Sequence, residues 1–227
     1  PAAELKELAP LLRSMAQRAS VPVVLHFDHG LTEAKINEAI DLGFSSIMYD
    51  CSTDSYEENV RKVADIIHAD PARRFVVASA PGKRDSKDIK VTDLLYRCYD
   101  LAVAGQAYLP VLEQIEKRFQ DIITELGISF DLDSEIEIIR QHIMKGVQRD
   151  YMASRGEYLN SKILAAFLQY PFVDPADYIL FREDGTCDSE TTSQRLGAAL
   201  RTPLWWQASM AHRPTARFVP SPGAAPM

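Results

Sequence analysis

The first residues with the chemistry of a functional site are His26, Asp28 and His29, which follow an apolar run at residues 21–25. A short, uniformly apolar run is typical of a strand inside a parallel sheet, so we interpret residues 21–25 as such a strand. Enzymes of the α/β class carry titratable side chains at the ends of buried strands. Two interpretations follow: a metal site, or histidines that only satisfy local hydrogen bonds.

A second group of polar residues consists of Ser79 after an apolar run, Thr92 at the start of a predicted helix, and the sequence SRGE at residues 154–157. Hydroxyl groups and the free N–H groups of a helix start bind carboxylate or phosphate. A buried carboxylate such as that of Glu157 selects an ammonium group through a charge-assisted hydrogen bond. Taken without their surroundings, Arg155 and Glu157 fit an ordinary surface ion pair better than a ligand site.

Strands and helices alternate as far as about residue 200, which predicts an α/β fold with a mainly parallel sheet flanked by helices. Ser55 and Ser134 each begin the Ser-x-x-Glu pattern of a capping box. Gly43 follows a predicted helix, where glycine commonly ends the helix. The predicted strands cover residues 21–25, 44–49, 75–79, 172–173 and 178–181, and the predicted helices cover residues 5–15, 32–42, 55–69, 92–103, 109–126, 134–147 and 155–168.

The composition of the 227 residues is that of an ordinary soluble globular protein, with 46% hydrophobic and 25% charged residues. Lys and Arg number 25 against 32 Asp and Glu, and the net charge of -7 argues against a nucleic-acid partner and an anionic membrane surface. No apolar run approaches the roughly 20 residues of a membrane span. Cys51, Cys98 and Cys187 lie far apart, so we expect neither a disulfide framework nor a cysteine metal site. We also expect a cytoplasmic location, where cysteines stay reduced.

Residues 201–227 differ in composition from the rest of the chain. They hold five of the 13 prolines, both tryptophans and no acidic residue. Because proline interrupts regular secondary structure, we predict a disordered C-terminal tail. A Pro-rich docking segment and a stretch translated in a wrong frame are the alternatives.

Three runs, VPVVLHFDHG, AIDLGFSSIMYDCS and EENV, make residues 4–60 resemble the class II, zinc-dependent fructose-bisphosphate aldolases. The resemblance implies a TIM barrel that cleaves a ketose bisphosphate by a retro-aldol reaction. It also implies that His29 is a zinc ligand, that Asp28 is the acid that protonates the substrate oxygen, and that Asp50 and Ser52 lie near the metal. A catalytic zinc needs three protein ligands, and the later motifs of the family do not follow residue 60, so we expect the zinc site to be incomplete.

Three longer runs over residues 61–200 resemble aspartate kinases: RKVADIIHADPARRFVVASAPGKRDSKDIKVTDLLY, DYMASRGEYLNSKILAAFL and PFVDPADYILFREDGTCDSETT. The resemblance implies the amino-acid-kinase fold, a three-layer αβα sandwich, and phosphorylation of L-aspartate with ATP and Mg²⁺. It further implies that Ser79, Thr92 and Arg155 bind the substrate and that Glu157 binds its ammonium group.

The kinase-like part departs from the family in two ways. Asp85 and Ile89 stand where the family has an aromatic residue and a threonine, which leaves the conformation of this loop open. The family's opening K-F-G-G phosphate loop and its later nucleotide-binding half do not occur in the sequence. Since phosphoryl transfer depends on positioning and charge neutralisation around the phosphates, we expect this unit not to phosphorylate aspartate.

The sequence therefore divides into an aldolase-like βα fragment at residues 1–60, an incomplete aspartate kinase-like fragment at residues 61–200 and the tail. Three functional hypotheses remain open: an aspartate-binding, kinase-like unit, a zinc aldolase fragment that binds zinc through His29, and a chimeric or misassembled chain with no function of its own. The start at Pro1 rather than at a methionine favours a fragment. Unpaired strand edges would favour homo-oligomers or aggregation.

Overall fold

A computed structural model describes residues 5–50, 55–70, 75–146 and 148–200 in full, and the backbone of residues 204–207. Its contacts divide the chain into two compact units, Pro1–Ala69 and Asp70–Met227. The sequence-based boundary near residue 60 falls inside a helix of the first unit. The strands of both units pair in parallel, so the expected α/β class with a mainly parallel sheet is confirmed.

The first unit has the order α1 (Leu5–Arg18), β1 (His26–Gly30), α2 (Glu33–Asp41), β2 (Ser46–Tyr49) and α3 (Tyr56–His68). β1 pairs with β2, with His26 opposite Ser46. A small core forms around Ala9, Ala39 and Phe44. The predicted capping box is confirmed, because Ser55 and Glu58 exchange side-chain and backbone hydrogen bonds at the start of α3.

The predicted strand at residues 21–25 is wrong. Residues 21–24 are exposed, and pairing begins only at His26. Pro22 supplies no N–H group to a strand ladder and restricts the residue before it, which disfavours a strand there. The polar residues His26, Asp28 and His29 therefore lie inside β1 and do not follow a strand end.

The described part of the second unit contains a three-stranded sheet and four long helices. β3 (Phe75–Ala78) and β4 (Phe172–Val173) both pair in parallel with β5 (Leu204–Gln207), which lies between them. β5 belongs to the Pro-rich segment and is a strand that the sequence patterns did not indicate, whereas residues 201–203 and 208–227 lie outside the described residues. The helices are α4 (Val91–Val103), α5 (Leu109–Leu126), α6 (Leu132–Met144), α7 (Arg149–Leu168) and the shorter α8 (Ser189–Ala199).

The core of the second unit lies between α4, α5, α6 and α7, which pack on one another. The bounds of α5 agree with the apolar spacing of the sequence, and its end at Gly127 has the left-handed conformation (φ 66°) that glycine tolerates best. At the interface of α6 and α7, the Lys162 ammonium forms an ion pair with Glu135. The largest side chains buried here are Leu95, Leu112, Ile115, Phe119, Ile122, Ile139, Met152, Leu159 and Ile163.

Three further predictions for the second unit are wrong. The helix predicted over residues 155–168 begins at Arg149, so residues 154–157 lie inside α7 and not at a helix start. Asp131, and not Ser134, caps α6: its carboxylate accepts hydrogen bonds from the Ser134 N–H group (3.1 Å) and hydroxyl group (2.6 Å). No strand forms at residues 178–181, where Phe181 makes a single antiparallel bridge to Cys187. The backbone hydrogen bonds of Leu180 go elsewhere: its N–H group donates to the Thr192 hydroxyl at 3.0 Å, and its carbonyl accepts the N–H group of Asp188 at 2.8 Å.

Candidate functional site

The first part of the candidate site is the loop between β3 and α4, which begins at Ser79. The Ser79 carbonyl accepts a 2.6 Å hydrogen bond from Nδ2 of Asn160 on α7. A Cβ atom added at Gly156 would lie 3.0 Å from the Ala80 Cβ and 3.3 Å from a methyl group of Leu95. The missing side chain thus lets α7 approach the loop closely. The structure therefore brings Ser79 to the turn of α7 that carries the predicted residues Arg155 and Glu157.

The middle of this loop folds around two carboxylates. Asp85 accepts the N–H groups of Lys87 (2.7 Å) and Asp88 (3.1 Å), and so closes a tight turn. Asp88 accepts hydrogen bonds from the backbone N–H group of Arg84 and from the Nε and Nη2 atoms of its guanidinium, each at 3.0 Å. These bonds hold the pKa of Asp88 well below its usual range. Asp85 therefore shapes the loop by its own hydrogen bonds, whereas Ile89 is 44% exposed.

The same loop is attached to α5 through Arg118, whose side chain is 8% exposed. Its Nη2 atom donates a 2.9 Å hydrogen bond to the Gly82 carbonyl, and its Nη1 atom lies 3.6 Å from a carboxylate oxygen of Asp88. Sequence reasoning missed Arg118 and Asp88. The available signal was an arginine three residues after Ile115 on a strongly amphipathic helix, since that spacing places both on one helix face.

Thr92 occupies the first turn of α4 and is half-buried. Lys90 is the N-cap residue of α4, and its side chain makes no hydrogen bond to the helix start. The first N–H groups of a helix have no partner within the helix and carry the positive end of its dipole. The Thr92 hydroxyl and the first N–H groups of α4 can therefore donate hydrogen bonds to an anionic group of a ligand.

Glu157 lies on α7 and is half-buried. One of its carboxylate oxygens, Oε2, is buried and has no hydrogen-bond partner among the described residues. Burial raises the pKa of Glu157 above its usual value, whereas a hydrogen bond from its own backbone N–H group and the nearby charge of Arg155 act in the opposite direction. An unsatisfied buried acceptor costs free energy in the empty protein. A cationic ligand group would satisfy it.

Arg155 does not form the surface ion pair with Glu157 that the isolated residues suggested. Its guanidinium lies between the rings of Tyr151 and Tyr158, 4.3 Å from each ring centre. It also donates to the Ser154 hydroxyl at 2.9 Å. Cation–π contacts and hydrogen bonds thus hold the planar group in one orientation, from which an arginine can bind a carboxylate.

The aldolase-like residues lie in the first unit, on β1 and at the end of β2. The His29 ring nitrogen Nδ1 lies 3.0 Å from a carboxylate oxygen of Asp50, and the hydrogen bond between them, with the charge of Asp28, raises the pKa of His29. His29 has a left-handed backbone (φ 52°) beside an irregularity in the pairing of β1 with β2. His26 lies 2.8 Å from the Ser46 hydroxyl and 3.6 Å from Asp28.

The zinc donor set implied by the aldolase resemblance does not fit these residues. Within the described parts of both units, no group of three or more His, Cys, Asp or Glu side chains is placed to hold a metal ion. This holds for Zn²⁺ and for the Mg²⁺ implied by the kinase resemblance. Ser52 lies outside the described residues. None of the helices described is long and apolar enough to cross a membrane.

Comparisons with known proteins identify two similarities. The family model described as "Fructose-bisphosphate aldolase class-II" matches residues 2–93. The fructose-bisphosphate aldolase of Geobacillus stearothermophilus is 41% identical over 63 residues, which are 28% of this chain and 22% of that protein. Aspartokinase 3 of Bacillus subtilis (strain 168) is 34% identical over 134 residues, which are 53% of this chain and 29% of that protein.

A solved structure extends the second similarity to the fold. The crystal structure of aspartate kinase from Clostridium acetobutylicum matches with a TM-score of 0.64 and 36% sequence identity, over 69% of this chain and 36% of that chain. The chain thus spans well under half the length of each of these relatives. Both resemblances recognised in the sequence are confirmed: part of this chain is similar to class II aldolases, and part is similar to aspartate kinases in sequence and fold.

Proposed function

We propose that this chain is an aspartate kinase-like unit that binds L-aspartate between the β3–α4 loop and α7. The observation that carries the proposal is the buried Oε2 atom of Glu157, which has no partner among the described residues. It lies on the helix turn that packs on the start of the β3–α4 loop through Gly156. The sequence and fold similarity to aspartate kinases supports L-aspartate as the ligand.

Each charged group of L-aspartate has a complementary group in this proposal. Glu157 accepts hydrogen bonds from the ammonium group. Arg155 binds one carboxylate, and its orientation between two tyrosine rings means that little conformational freedom is lost on binding. Ser79, Thr92 and the first N–H groups of α4 bind the other carboxylate.

We expect these 227 residues to bind L-aspartate without transferring a phosphoryl group to it. The sequence contains no lysine- and glycine-rich phosphate loop. Positioning and charge neutralisation of the phosphates supply most of the catalysis in phosphoryl transfer. ATP with Mg²⁺ therefore belongs to the family reaction and not to the activity proposed for this chain.

Calorimetry with millimolar L-aspartate and with succinate tests the proposal. Succinate retains both carboxylates and lacks the ammonium group. Glu157→Gln should weaken L-aspartate binding by about tenfold or more, the scale of a lost charged hydrogen bond, and should leave succinate binding nearly unchanged. The absence of any binding heat for L-aspartate in the unaltered chain would refute the proposal, as would equal losses for both ligands.

A second candidate function is that of a zinc-dependent aldolase fragment, favoured by the family-model match over residues 2–93. The resemblance implies that His29 binds zinc and that Asp28 is the acid, although the described residues contain no complete zinc site. Equilibrium dialysis of the unaltered chain and of His29→Ala decides this candidate. Zinc retention that depends on His29 would support it, and no retention, or equal retention in both proteins, would exclude it. One uninterrupted read of the source DNA across codons 50 to 227 would test the chimera hypothesis.

A further inference from the structure

The β3–α4 loop has no regular secondary structure of its own, yet it connects the predicted ligand residues Ser79 and Thr92. Backbone in a loop is held in place by contacts with neighbouring elements. The first residues of this loop are held by α7, through the hydrogen bond from Asn160 and the close approach of Gly156. The remainder of the loop needs a second attachment to fix the path from Ser79 to α4.

Arg118 provides that attachment at a cost to folding. A charged side chain that is 8% exposed has lost most of its hydration, and burial lowers the pKa of Arg118. Its Nε atom is buried and has no hydrogen-bond partner among the described residues. The neighbouring core positions of α5, Ile115 and Phe119, show that apolar side chains fill this face of the helix. Packing alone therefore does not explain an arginine here.

The two partners of Arg118 both belong to the loop. The guanidinium donates to the Gly82 carbonyl at 2.9 Å and approaches the Asp88 carboxylate to 3.6 Å. Asp88 is 13% exposed and also accepts the hydrogen bonds of Arg84. One buried cation and one nearly buried anion thus connect Gly82, which precedes the tight turn closed by Asp85, with Asp88, where that turn ends.

We infer that Arg118 and Asp88 are positioning residues for amino-acid binding: they hold the β3–α4 loop in the conformation that presents Ser79 and Thr92 to L-aspartate. Neither side chain needs to contact the ligand. The inference rests on the proposed function, because it assigns to these two residues a role in the same site.

The test uses the full chain with Arg118→Met, which keeps an unbranched side chain and removes the charge and the donors. Lys117→Met is the matched control, because Lys117 precedes Arg118 on α5, is 75% exposed and pairs with Asp121. The substitution leaves Asp121 in place, so the 3.7 Å ion pair of Asp121 with Arg84 of the loop is retained. Asp88→Asn serves as a second variant if Arg118→Met fails to fold. Arg118→Lys restores the charge and part of the hydrogen bonding.

Two measurements are made on each protein. Hydrogen exchange of the amides at residues 82–90 reports whether the loop is held. Calorimetry of L-aspartate between pH 5 and 8 reports the affinity, the number of sites and the pH profile. Arg118→Met should speed exchange in the loop and weaken binding about tenfold, with partial recovery in Arg118→Lys. The number of sites and the pH dependence that comes from Glu157 should stay unchanged, whereas partial unfolding would lower the number of sites.

The outcomes separate this inference from the proposed function. If the unaltered chain binds L-aspartate and Arg118→Met or Asp88→Asn binds it equally well, the positioning role is wrong and the proposed function stands. If exchange in the loop is the same in Arg118→Met and Lys117→Met, the attachment itself is wrong. If the unaltered chain does not bind L-aspartate, the proposed function fails and the inference fails with it.

Discussion

The buried carboxylate of Glu157 destabilises the folded protein, and in the proposed function it binds the ammonium group of the ligand. Its buried Oε2 atom has no partner among the described residues, and burial raises the pKa of the carboxyl group. In contrast, the isolated sequence favoured a surface pair with Arg155, which the structure replaces by the stacking of Arg155 on two tyrosine rings. In both arrangements Arg155 and Glu157 are two positions apart on one helix, so their spacing in the sequence does not distinguish the two. The packing of α7 against its neighbours decides which partners the side chains contact.

The raised pKa of Glu157 predicts that the free energy of unfolding depends on pH. A carboxyl group with a folded-state pKa above its unfolded value binds protons more tightly in the folded protein. Its contribution to stability is therefore fully present below the unfolded value of 4.5 and is lost as the pH rises through the folded value. Glu157→Gln removes this loss, so the variant should be more stable than the unaltered chain at neutral pH, by about 1 kcal/mol.

Urea unfolding at pH 4.5 and at pH 7.5 measures this difference. We expect it to grow with pH for Glu157→Gln. Glu113→Gln, at an exposed position of α5, is the control and should show little change. A Glu157→Gln variant that is less stable at neutral pH would show that the carboxylate has a stabilising partner in the empty protein.

At the scale of elements, the contact between α7 and the β3–α4 loop depends on one missing side chain. A Cβ atom at position 156 would lie 3.0 Å from the Ala80 Cβ, which is closer than ordinary van der Waals contact. At Gly197 on α8, the same added carbon has no contact within 4 Å among the described residues, apart from its chain neighbours and the backbone of its own helix. Comparing the same substitution at these two glycines therefore separates the effect of helix propensity from the effect of packing.

Gly156→Ala should destabilise the protein by about 1–3 kcal/mol, because overpacking outweighs the better helix propensity of alanine. Gly197→Ala should stabilise it by up to about 1 kcal/mol, because only the propensity changes. Denaturant unfolding of both variants measures the signs. A stabilising effect of Gly156→Ala would mean that α7 and the loop are less tightly packed than the structure shows.

At the scale of the whole molecule, the described strands form two small parallel sheets, of two and of three strands. β3 and β4 lie at the edges of the three-stranded sheet within the described residues. An edge strand exposes N–H and C=O groups that can pair with another chain. Phe75 and Val77 add exposed apolar side chains to β3, at 51% and 55% exposure.

We therefore expect the chain to self-associate, and Val77→Lys to reduce the association, because a charged side chain on an edge strand opposes pairing between chains. Light scattering after size-exclusion chromatography measures the mass across a dilution series. Val103→Lys is the control, since Val103 ends α4 and is 69% exposed. A monomeric unaltered chain, or equal effects of the two lysines, would show that β3 does not mediate association.

Features set by neighbours along the chain were predictable from the sequence. The apolar steps of three and four residues in α5 defined the bounds of this helix. The capping box of Ser55 and Glu58 was equally local. The two family resemblances also came from contiguous runs of residues, and the kinase-like runs were enough to indicate Glu157 and Ser79 as candidate site residues.

Features set by contacts between distant residues were decided only by the tertiary structure. The strand beginning at His26, and not at residue 21, follows from its partner at Ser46. The sheet order with β5 in the middle pairs Phe75 with Leu204. The burial of Arg118 against Gly82, 36 residues away, depends on how α5 packs on the loop. Local patterns encode the propensities of helices and turns, but the free energy of burial and of strand pairing belongs to residues that meet only in the folded chain.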